Sequence, residues 1–301
     1  MVASENGNVG ISAVWPSFAQ GLDALSAVEQ AARVVEDNLE DHSVGTGGLP
    51  NLDGDVELDA SIMEGRTRKA GAVAGLKGFA HPISVARGVL EALPHVLIVG
   101  DGAARFAKEI GAEERDLLTD YAREVWESGM ANVPDGLAGE ILARTRALTS
   151  DPERAVGTVN FLAIDAHGEM ASAVSTSGWA WKWPGRAGDS PIPGAGNYCD
   201  LRYGAAACTG YGELALRSST ARTIVNYLSQ GMTPLEAGER ALRDLVLLGV
   251  PHDHIIMHAV VMDANGNHVG VSTQPEKSYA WRDEHSDDVV ISPRHFVNLE
   301  G

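Results

Sequence analysis

Apolar residues in the first half of the chain recur at intervals that predict alternating strands and helices. Residues 8–15, NVGISAVW, predict a short strand, and residues 22–38 predict a helix whose apolar positions fall on one face. The segments VELDASIM and AGAVAGL predict two paired strands, and PISVARGVLEAL predicts a helix with proline in its first turn. HVLIVG predicts another strand, and residues 101–150 are predicted to be mostly helical, followed by an exposed connection, DPERAVG.

The second half repeats this order of strands and helices. Strands are predicted over residues 158–165 and 170–175, and a strand of small residues is predicted to end at Cys208. Helices follow at about residues 213–230 and 233–248, and the turn ANGN joins two closing strands, IIMHAVVMD and HVGVST. Paired strands with helices grouped between them predict an α+β fold, a four-layer α/β/β/α sandwich. No internal repeat or flexible linker divides the chain into independent domains.

Composition narrows the classes of partner. The chain has 301 residues, 44% of them hydrophobic, and a formal net charge of −18. Nucleic acids and anionic membranes require a basic surface, so neither is an expected partner, and a small polar molecule is. The N-terminal sequence MVASENGNVG has no signal-peptide pattern, and no apolar run approaches a membrane span, so we expect a cytoplasmic protein. The cysteines, Cys199 and Cys208, are expected to be reduced.

The step Gly157-Thr158, immediately before the strand VNFLAI, offers a candidate nucleophile. A threonine at a chain terminus can use its own α-amine, which titrates near neutral pH, to take the proton from its hydroxyl. Cleavage before Thr158 would create that terminus, and Gly157 would leave the scissile bond unobstructed. An ordinary strand opening is the alternative interpretation of the same residues.

Two further loops contain candidate binding groups. In the glycine- and proline-rich segment 175–196, Arg186 suits a carboxylate and Asp189 suits an ammonium group, and together they match the two ends of an α-amino acid. A surface ion pair is the alternative. In CTGYGE, the Thr209 hydroxyl beside the backbone N–H of Gly210 would suit an oxyanion, although a strand-to-helix turn explains the same residues.

In this order, the segments GTV, STSG, PGRAGDSPIPGAG and CTGYGE resemble the β-chain of N-terminal-nucleophile hydrolases. The family includes glycosylasparaginases and plant-type asparaginases that are also isoaspartyl peptidases. Upstream, ELDASIMEG, KAGAVAGL and PHVLIVGDGAARFA resemble its α-chain, so the similarity covers nearly the whole sequence. The resemblance implies the same four-layer sandwich, self-cleavage into an α-chain of residues 1–157 and a β-chain of residues 158–301, and dimers of αβ units.

The resemblance also implies a role for each matching residue. Thr158 matches the nucleophile, and Thr176 matches the threonine that orients it. Arg186 and Asp189 match the groups that hold the substrate's α-carboxylate and α-amine. Thr209 and Gly210 match the oxyanion hole, and Gly212 matches a backbone position near the substrate amine.

The resemblance favours the glycosylasparaginase branch. Three features resemble that branch: Trp15 in the segment AVWPS, the segment SVGTGG and the segment SPIPGAG. We expect Trp15 to bind substrate. Gly157 instead resembles the asparaginases, which remain the alternative. No cofactor is required, although asparaginase-type relatives imply that residues 43–55 could hold a structural sodium. A non-cleaving binding protein remains open because Asn160 and Phe161 replace the small residues usual after the nucleophile.

A metal site is a weaker alternative. PHDHIIMH contains His252, Asp253, His254 and His258, but no carboxylate cluster in the sequence matches them, so no metal is predicted.

Overall fold

The computed structural model describes residues 1–131, residue 148 and residues 157–300. These residues form a mixed α/β structure with eight α-helices, thirteen strands and three short 3-10 turns. The helices are α1 (Asn8–Phe18), α2 (Ala24–Glu36), α3 (Pro82–Ala92), α4 (Gly100–Glu109), α5 (Asp120–Ala131), α6 (Gly212–Ser218), α7 (Thr220–Ser229) and α8 (Pro234–Asp244). The 3-10 turns are Glu5–Gly7, Leu245–Leu248 and His252–His254.

The strands form two sheets. They are β1 (Val2–Ser4), β2 (Leu58–Glu64), β3 (Ala70–Leu76), β4 (Leu97–Val99), β5 (Val159–Ile164), β6 (Met170–Thr176), β7 (Asn197–Asp200), β8 (Gly204–Gly210), β9 (Met257–Asp263), β10 (His268–Ser272), β11 (Ser278–Trp281), β12 (Val290–Pro293) and β13 (His295–Phe296). The larger sheet has the order β12-β11-β1-β5-β6-β2-β3-β4, and the smaller has the order β13-β10-β9-β8-β7. The predicted pairing of VELDASIM with AGAVAGL is the antiparallel pair of β2 and β3.

Alternation of side chains along the strands produces the layers. On β5, Phe161 packs with the helices α1 to α3, whereas its neighbour Leu162 packs between the two sheets. On β8, Ala206 packs with α7 and α8, whereas Ala207 lies between the sheets. The described elements therefore stack as helices, sheet, sheet and helices, with three hydrophobic clusters at the junctions.

Several predicted boundaries change. Residues 8–15 form part of helix α1 and not a strand, because Gly7, Gly10, Ile11 and Val14 recur at helical spacing and form one buried face. A side chain at Gly10 would collide with the Ala31 backbone oxygen, so glycine brings α1 close to α2.

The predicted helix over residues 213–230 is two helices, separated at Ser219, whose φ of 49° interrupts the helical backbone. The helix predicted over 233–248 is α8 followed by the Leu245–Leu248 turn, and Thr233 begins it with a capping box. The sequence pattern does not predict β1, β7 or the strands β11 to β13. Most of residues 132–150 and the connection DPERAV lie outside the described residues. The helical prediction for residues 101–150 is therefore confirmed only for α4 and α5.

Cys199 and Cys208 are free and buried, as predicted. Burial raises the pKa of each thiol, so both remain protonated and unreactive. Among the described residues, no helix is both long enough and apolar enough to cross a membrane.

Candidate active site

Thr158 lies half-buried at the start of β5, where two cavities meet. In the continuous chain its hydroxyl donates a hydrogen bond to the Gly157 carbonyl oxygen at 2.8 Å. Val159 pairs with Ser175 in the antiparallel register of β5 and β6. One position further along this register, Thr158 lies opposite Thr176. The sheet therefore brings the two predicted threonines together from positions that are 18 residues apart in the sequence.

The Thr176 hydroxyl connects both sides of this junction. It donates to the Gly157 carbonyl oxygen at 2.6 Å and accepts from the Gly178 backbone N–H at 2.9 Å. The Gly157 oxygen thus accepts two hydroxyl hydrogen bonds, from Thr158 and Thr176. Such donors would stabilise negative charge developing on that oxygen if the carbonyl carbon were attacked.

Position 157 has room only for glycine, because Ser43 fills the space that a side chain would need. A Cβ built at this position overlaps the Cβ of Ser43, and the φ of Gly157 is not in the left-handed region. Ser43 cannot easily withdraw, because its backbone N–H and its hydroxyl both donate to Asp41 and its carbonyl accepts from Ser177 N–H at 2.8 Å. Ser43 and Asp41 are therefore functional candidates that the sequence did not identify.

The predicted amino-acid clamp lies in the loop between β6 and β7. Arg186 and Asp189 line the smaller cavity together with Thr158, Thr176 and Gly210. Burial raises the pKa of the Asp189 carboxyl to about 6, partly opposed by the nearby Arg186 charge. The interpretation of this pair as an exposed surface salt bridge is therefore disfavoured, since Asp189 is only 7% exposed and Arg186 has another partner.

That partner is Glu213, at the start of α6. Arg186 Nε and Nη2 both donate to the Glu213 carboxylate, at 2.9 to 3.0 Å, and the guanidinium lies 5.1 Å from the centre of the Trp179 ring. Bidentate geometry and stacking fix the plane of the guanidinium. Glu213 is the last residue of the motif CTGYGE, but no local pattern connects it with Arg186.

Two buried carboxylates from the first half of the chain accept hydrogen bonds from the loop that contains Arg186 and Asp189. The Glu57 carboxylate accepts from Gly185 N–H at 3.1 Å, and Asp59 Oδ2 accepts from Gly188 N–H at 3.2 Å. Buried Lys182 donates from Nζ to the Glu57 backbone oxygen at 3.0 Å, and burial lowers the pKa of its ammonium group. Acidic residues at alternate positions of VELD were the only sequence signal for this support.

The predicted oxyanion residues end strand β8. Thr209 lines the larger cavity and Gly210 the smaller one, each together with Thr158. Gly210 has a φ of 122°, which favours glycine. A Cβ at Gly212 would lie 2.6 Å from Asp189 Oδ1, so this glycine permits the close approach of the carboxylate.

The larger cavity has a volume of about 570 Å³ and shares Gly157 and Thr158 with the smaller one. Most of its lining residues are polar, and they carry both signs of charge. Its titratable and charged side chains include Glu5, Glu40, Asp41, His258, Lys277 and Arg294.

Trp15 is not brought to either of these cavities. It lies on α1, where its ring contacts Phe18 and the Arg282 guanidinium, 4.9 Å from the ring centre. Its predicted contact with substrate gains no support from this position.

The histidine-rich segment and the glycine-rich loop show no cation position. No cluster of three or more metal-ligating side chains occurs within the described part of the chain, and His258 is on β9, apart from the His252–His254 turn. Among the described atoms of residues 43–55, no buried side-chain oxygen lacks a hydrogen-bond partner. The sodium in this loop therefore stays a prediction.

Comparison with known proteins decides the family. The family model described as Asparaginase matches residues 8–291. The chain belongs to the asparaginase family. The resemblance inferred from the motifs is thereby confirmed, and the protein is an amidohydrolase of this family.

Individual relatives carry the names of both branches. The chain is 39% identical over 273 residues to the plant-type L-asparaginase of Pyrococcus furiosus, covering 90% of this chain and 86% of that protein. It is 38% identical over 242 residues to the N(4)-(beta-N-acetylglucosaminyl)-L-asparaginase of Elizabethkingia miricola, covering 79% and 67%. Isoaspartyl peptidase/L-asparaginase of Danio rerio is 35% identical over 229 residues, covering 74% and 69%. The asparaginase family is thus established, whereas the subtype is divided between names.

Proposed function

We propose that this asparaginase-family protein is a self-cleaving N-terminal-nucleophile hydrolase. Thr158 would attack the side-chain amide of asparagine derivatives, with glycosylated asparagine as the first candidate substrate. The observation that carries the proposal is that Thr158, Thr176, Arg186 and Asp189 line one cavity. The helix, sheet, sheet, helix arrangement agrees with the N-terminal-nucleophile fold that the family implies.

In the proposed reaction, Arg186 binds the α-carboxylate and Asp189 the α-ammonium group of the substrate's aspartyl part. The liberated α-amine of Thr158 takes the hydroxyl proton as Oγ1 attacks the side-chain carbonyl carbon. Thr209 and Gly210 would then donate hydrogen bonds to the resulting oxyanion.

The leaving nitrogen takes a proton from the Thr158 ammonium group as the C–N bond breaks, which leaves a β-aspartyl ester on Thr158. Water attacks this ester and gives one proton to the same amine, which passes it to Oγ1 as the acyl–Oγ1 bond breaks, so that aspartate is released and the Thr158 hydroxyl is restored. Each step uses groups of this chain and the substrate.

Self-cleavage would also make room for substrate. The smaller cavity has a volume of only about 10 Å³, at the lower limit of what one water molecule requires, and Gly157 forms part of its wall. Release of Gly157 from Thr158 would open the space in front of the nucleophile. The two hydroxyl hydrogen bonds on the Gly157 carbonyl support attack at this bond.

The larger cavity supports a substrate whose leaving group is bigger than ammonia. With the aspartyl part held by Arg186 and Asp189, the leaving group would extend past Thr158 into a space of about 570 Å³. That volume lies within the range of small-molecule sites. This favours glycosylated asparagine, as in the relative from Elizabethkingia miricola.

L-asparaginase and isoaspartyl dipeptidase activities form the second candidate, because the relatives from Pyrococcus furiosus and Danio rerio carry those names. In either case we propose a cytoplasmic dimer of αβ units that acts on a small amino-acid amide without a cofactor. The α-chain would comprise residues 1–157 and the β-chain residues 158–301.

Intact-mass measurement tests the nucleophile. The purified protein is expected to yield two fragments divided between Gly157 and Thr158, and Thr158→Ala is expected to remain one chain without activity. Thr158→Ser retains a hydroxyl and is the matched control, with slower but detectable cleavage. An active wild-type protein that stays intact would refute the mechanism, and an intact, inactive one that binds substrate would favour a binding protein.

A parallel assay of three substrates tests the specificity. The matured protein would be given β-N-acetylglucosaminyl-asparagine, free asparagine and a β-aspartyl dipeptide under identical conditions. We expect the highest kcat/KM for the glycosylated substrate. A preference for free asparagine by tenfold or more would instead assign the protein to the asparaginase branch.

A further inference from the structure

His258 lies at the larger cavity, in the middle of the smaller sheet. It pairs with Thr209 on β8 and with Ser272 on β10, and it is only 7% exposed. Side chains at directly paired antiparallel positions lie on the same face with Cβ atoms about 5 Å apart. The imidazole is therefore next to a predicted oxyanion residue and shares a cavity with Thr158.

The tautomer of His258 follows from the hydrogen bonds of Ser272. The Ser272 hydroxyl has one proton, which it donates to the Gln274 backbone oxygen at 2.6 Å. Ser272 Oγ lies 2.8 Å from His258 Nδ1, and with its proton on the Gln274 side it accepts from an Nδ1–H, whereas donation to Nδ1 would give up the Gln274 hydrogen bond. The other nitrogen, Nε2, then carries a free lone pair.

Nε2 is open to the cavity. Among the described residues no group donates to it, and it is not one of the buried side-chain atoms that lack a partner, so solvent reaches it. Burial and the positive charges of Arg294 and Lys277 lower the pKa of His258 to about 3. The ring therefore stays neutral at physiological pH and presents a hydrogen-bond acceptor beside the nucleophile.

The surrounding wall adds further acceptors. Glu40 contributes a carboxylate to the same cavity, whereas the carboxylates of Glu5 and Asp41 already accept hydrogen bonds, Glu5 from Ser278 and Asp41 from Asn6 and Ser43. Arg294 is largely occupied, since Nε donates to the Ser278 backbone oxygen and Nη1 to the Ala259 backbone oxygen, both at 2.8 Å. Such a wall offers acceptors to the hydroxyl donors of a neutral leaving group, and Lys277 adds one cation that a free carboxylate would meet.

We propose that His258 is a specificity-determining residue for the leaving group, and that its Nε2 accepts a hydrogen bond from a hydroxyl of a carbohydrate attached to the scissile amide. This inference rests on the proposed function. Ammonia, the leaving group of free asparagine, does not extend to this position, so His258 contributes to one substrate and not to the other.

The test compares kcat/KM for the three substrates in the matured wild type, His258→Phe and His258→Gln. His258→Phe keeps a ring but removes the acceptor, and we expect at least a tenfold loss with β-N-acetylglucosaminyl-asparagine and less than a twofold change with free asparagine. His258→Gln restores an acceptor and should recover part of the loss. Fragment masses and melting temperatures report whether maturation and folding are unchanged.

If His258→Phe does not fold, Ser272→Ala tests the same inference while keeping the imidazole. It removes the group that fixes the tautomer, so a two- to threefold loss confined to the glycosylated substrate is expected. In the wild type, ¹⁵N NMR of the histidine rings should show a protonated Nδ1 and an unprotonated Nε2 for His258.

Equal losses on all substrates, or no loss on the glycosylated one, would overturn the assignment of His258. A loss confined to the β-aspartyl dipeptide would overturn the carbohydrate as its ligand. These results differ from failure of the proposed function, in which the wild type itself would hydrolyse none of the three substrates.

Discussion

Arg186 and Glu213 form a bidentate ion pair at the edge of the cavity that contains Thr158. Glu213 occupies the Nε and Nη2 side of the guanidinium, and Trp179 covers its face. Nη1 is left to point toward the glycine-lined part of the cavity, 2.9 Å from where a Cβ on Gly188 would be. The guanidinium is therefore held in one orientation, as the proposed binding of a substrate carboxylate requires.

Replacing Glu213 should weaken substrate binding more than catalysis. Glu213→Ala frees the guanidinium to rotate, and hydrogen bonds between charged groups contribute about 1.5–3 kcal/mol, reduced here because Glu213 is partly exposed. We expect KM to rise about three- to tenfold for all substrates, with kcat changed less than twofold. Steady-state kinetics on matured protein provides the measurement, and a fall in KM would show that Glu213 competes with substrate instead.

Gly157→Ala should block self-cleavage. The added Cβ overlaps Ser43 Cβ, so the carbonyl must move away from Thr158 and Thr176. Mass spectrometry over time should find the intact chain long after the wild type is processed. The matched control is the double variant Gly157→Ala with Ser43→Gly, which removes the overlapping atoms and should regain cleavage. Processing of the single variant at the wild-type rate would contradict the steric argument.

Thr176→Val should slow self-cleavage while keeping the shape of the side chain. The change removes the hydroxyl that donates to the Gly157 oxygen at 2.6 Å. One hydrogen bond contributes about 1 kcal/mol or somewhat more, so a roughly tenfold lower rate of fragment appearance is expected. Thr176→Ser keeps the donor and should process at close to the wild-type rate. Equal rates for Val and Ser would exclude this role.

Asp189→Asn should stabilise the fold only at higher pH. The pKa of Asp189 is raised from 3.8 to about 6, so the buried carboxylate costs stability once pH exceeds 3.8, and this cost is complete above pH 6. The asparagine variant should gain about 3 kcal/mol at pH 8, at about 1.4 kcal/mol per pKa unit, and almost nothing at pH 4. Denaturant unfolding at both pH values measures the difference, and an equal gain at both would refute the raised pKa. The variant should also lose affinity for the substrate ammonium group.

Much of the framework was predictable because its signals are local. The apolar face of α2, the paired strands β2 and β3, and the capped start of α8 all follow from patterns within a few residues. Helix α1 was predicted incorrectly because Gly7 and Gly10 were not counted as buried positions, and their burial depends on the contact with α2. Small residues carry little periodic signal but permit close packing.

The candidate site was predictable only as far as its motifs extend. The motifs GTV, STSG and PGRAGDSPIPGAG contain Thr158, Thr176, Arg186 and Asp189, and the fold brings these four residues to one cavity. The supports from Glu57, Asp59 and Ser43 lie more than 100 residues away from the groups they hold. Nor could the tautomer of His258 be inferred without the register of β9 and β10, which places Ser272 opposite it.

The order of strands in the larger sheet would keep the two pieces together after the proposed self-cleavage. β1 lies between β11 and β5, and β2 lies against β6, so strands from before and after Gly157 interlock on both sides. Separating the two pieces would require breaking the hydrogen bonds of three strand pairs, which are β1 with β11, β1 with β5, and β2 with β6. Breaking the backbone at Thr158 would thus change the connectivity of the molecule without releasing either piece, and the nicked product should behave as one body until it denatures.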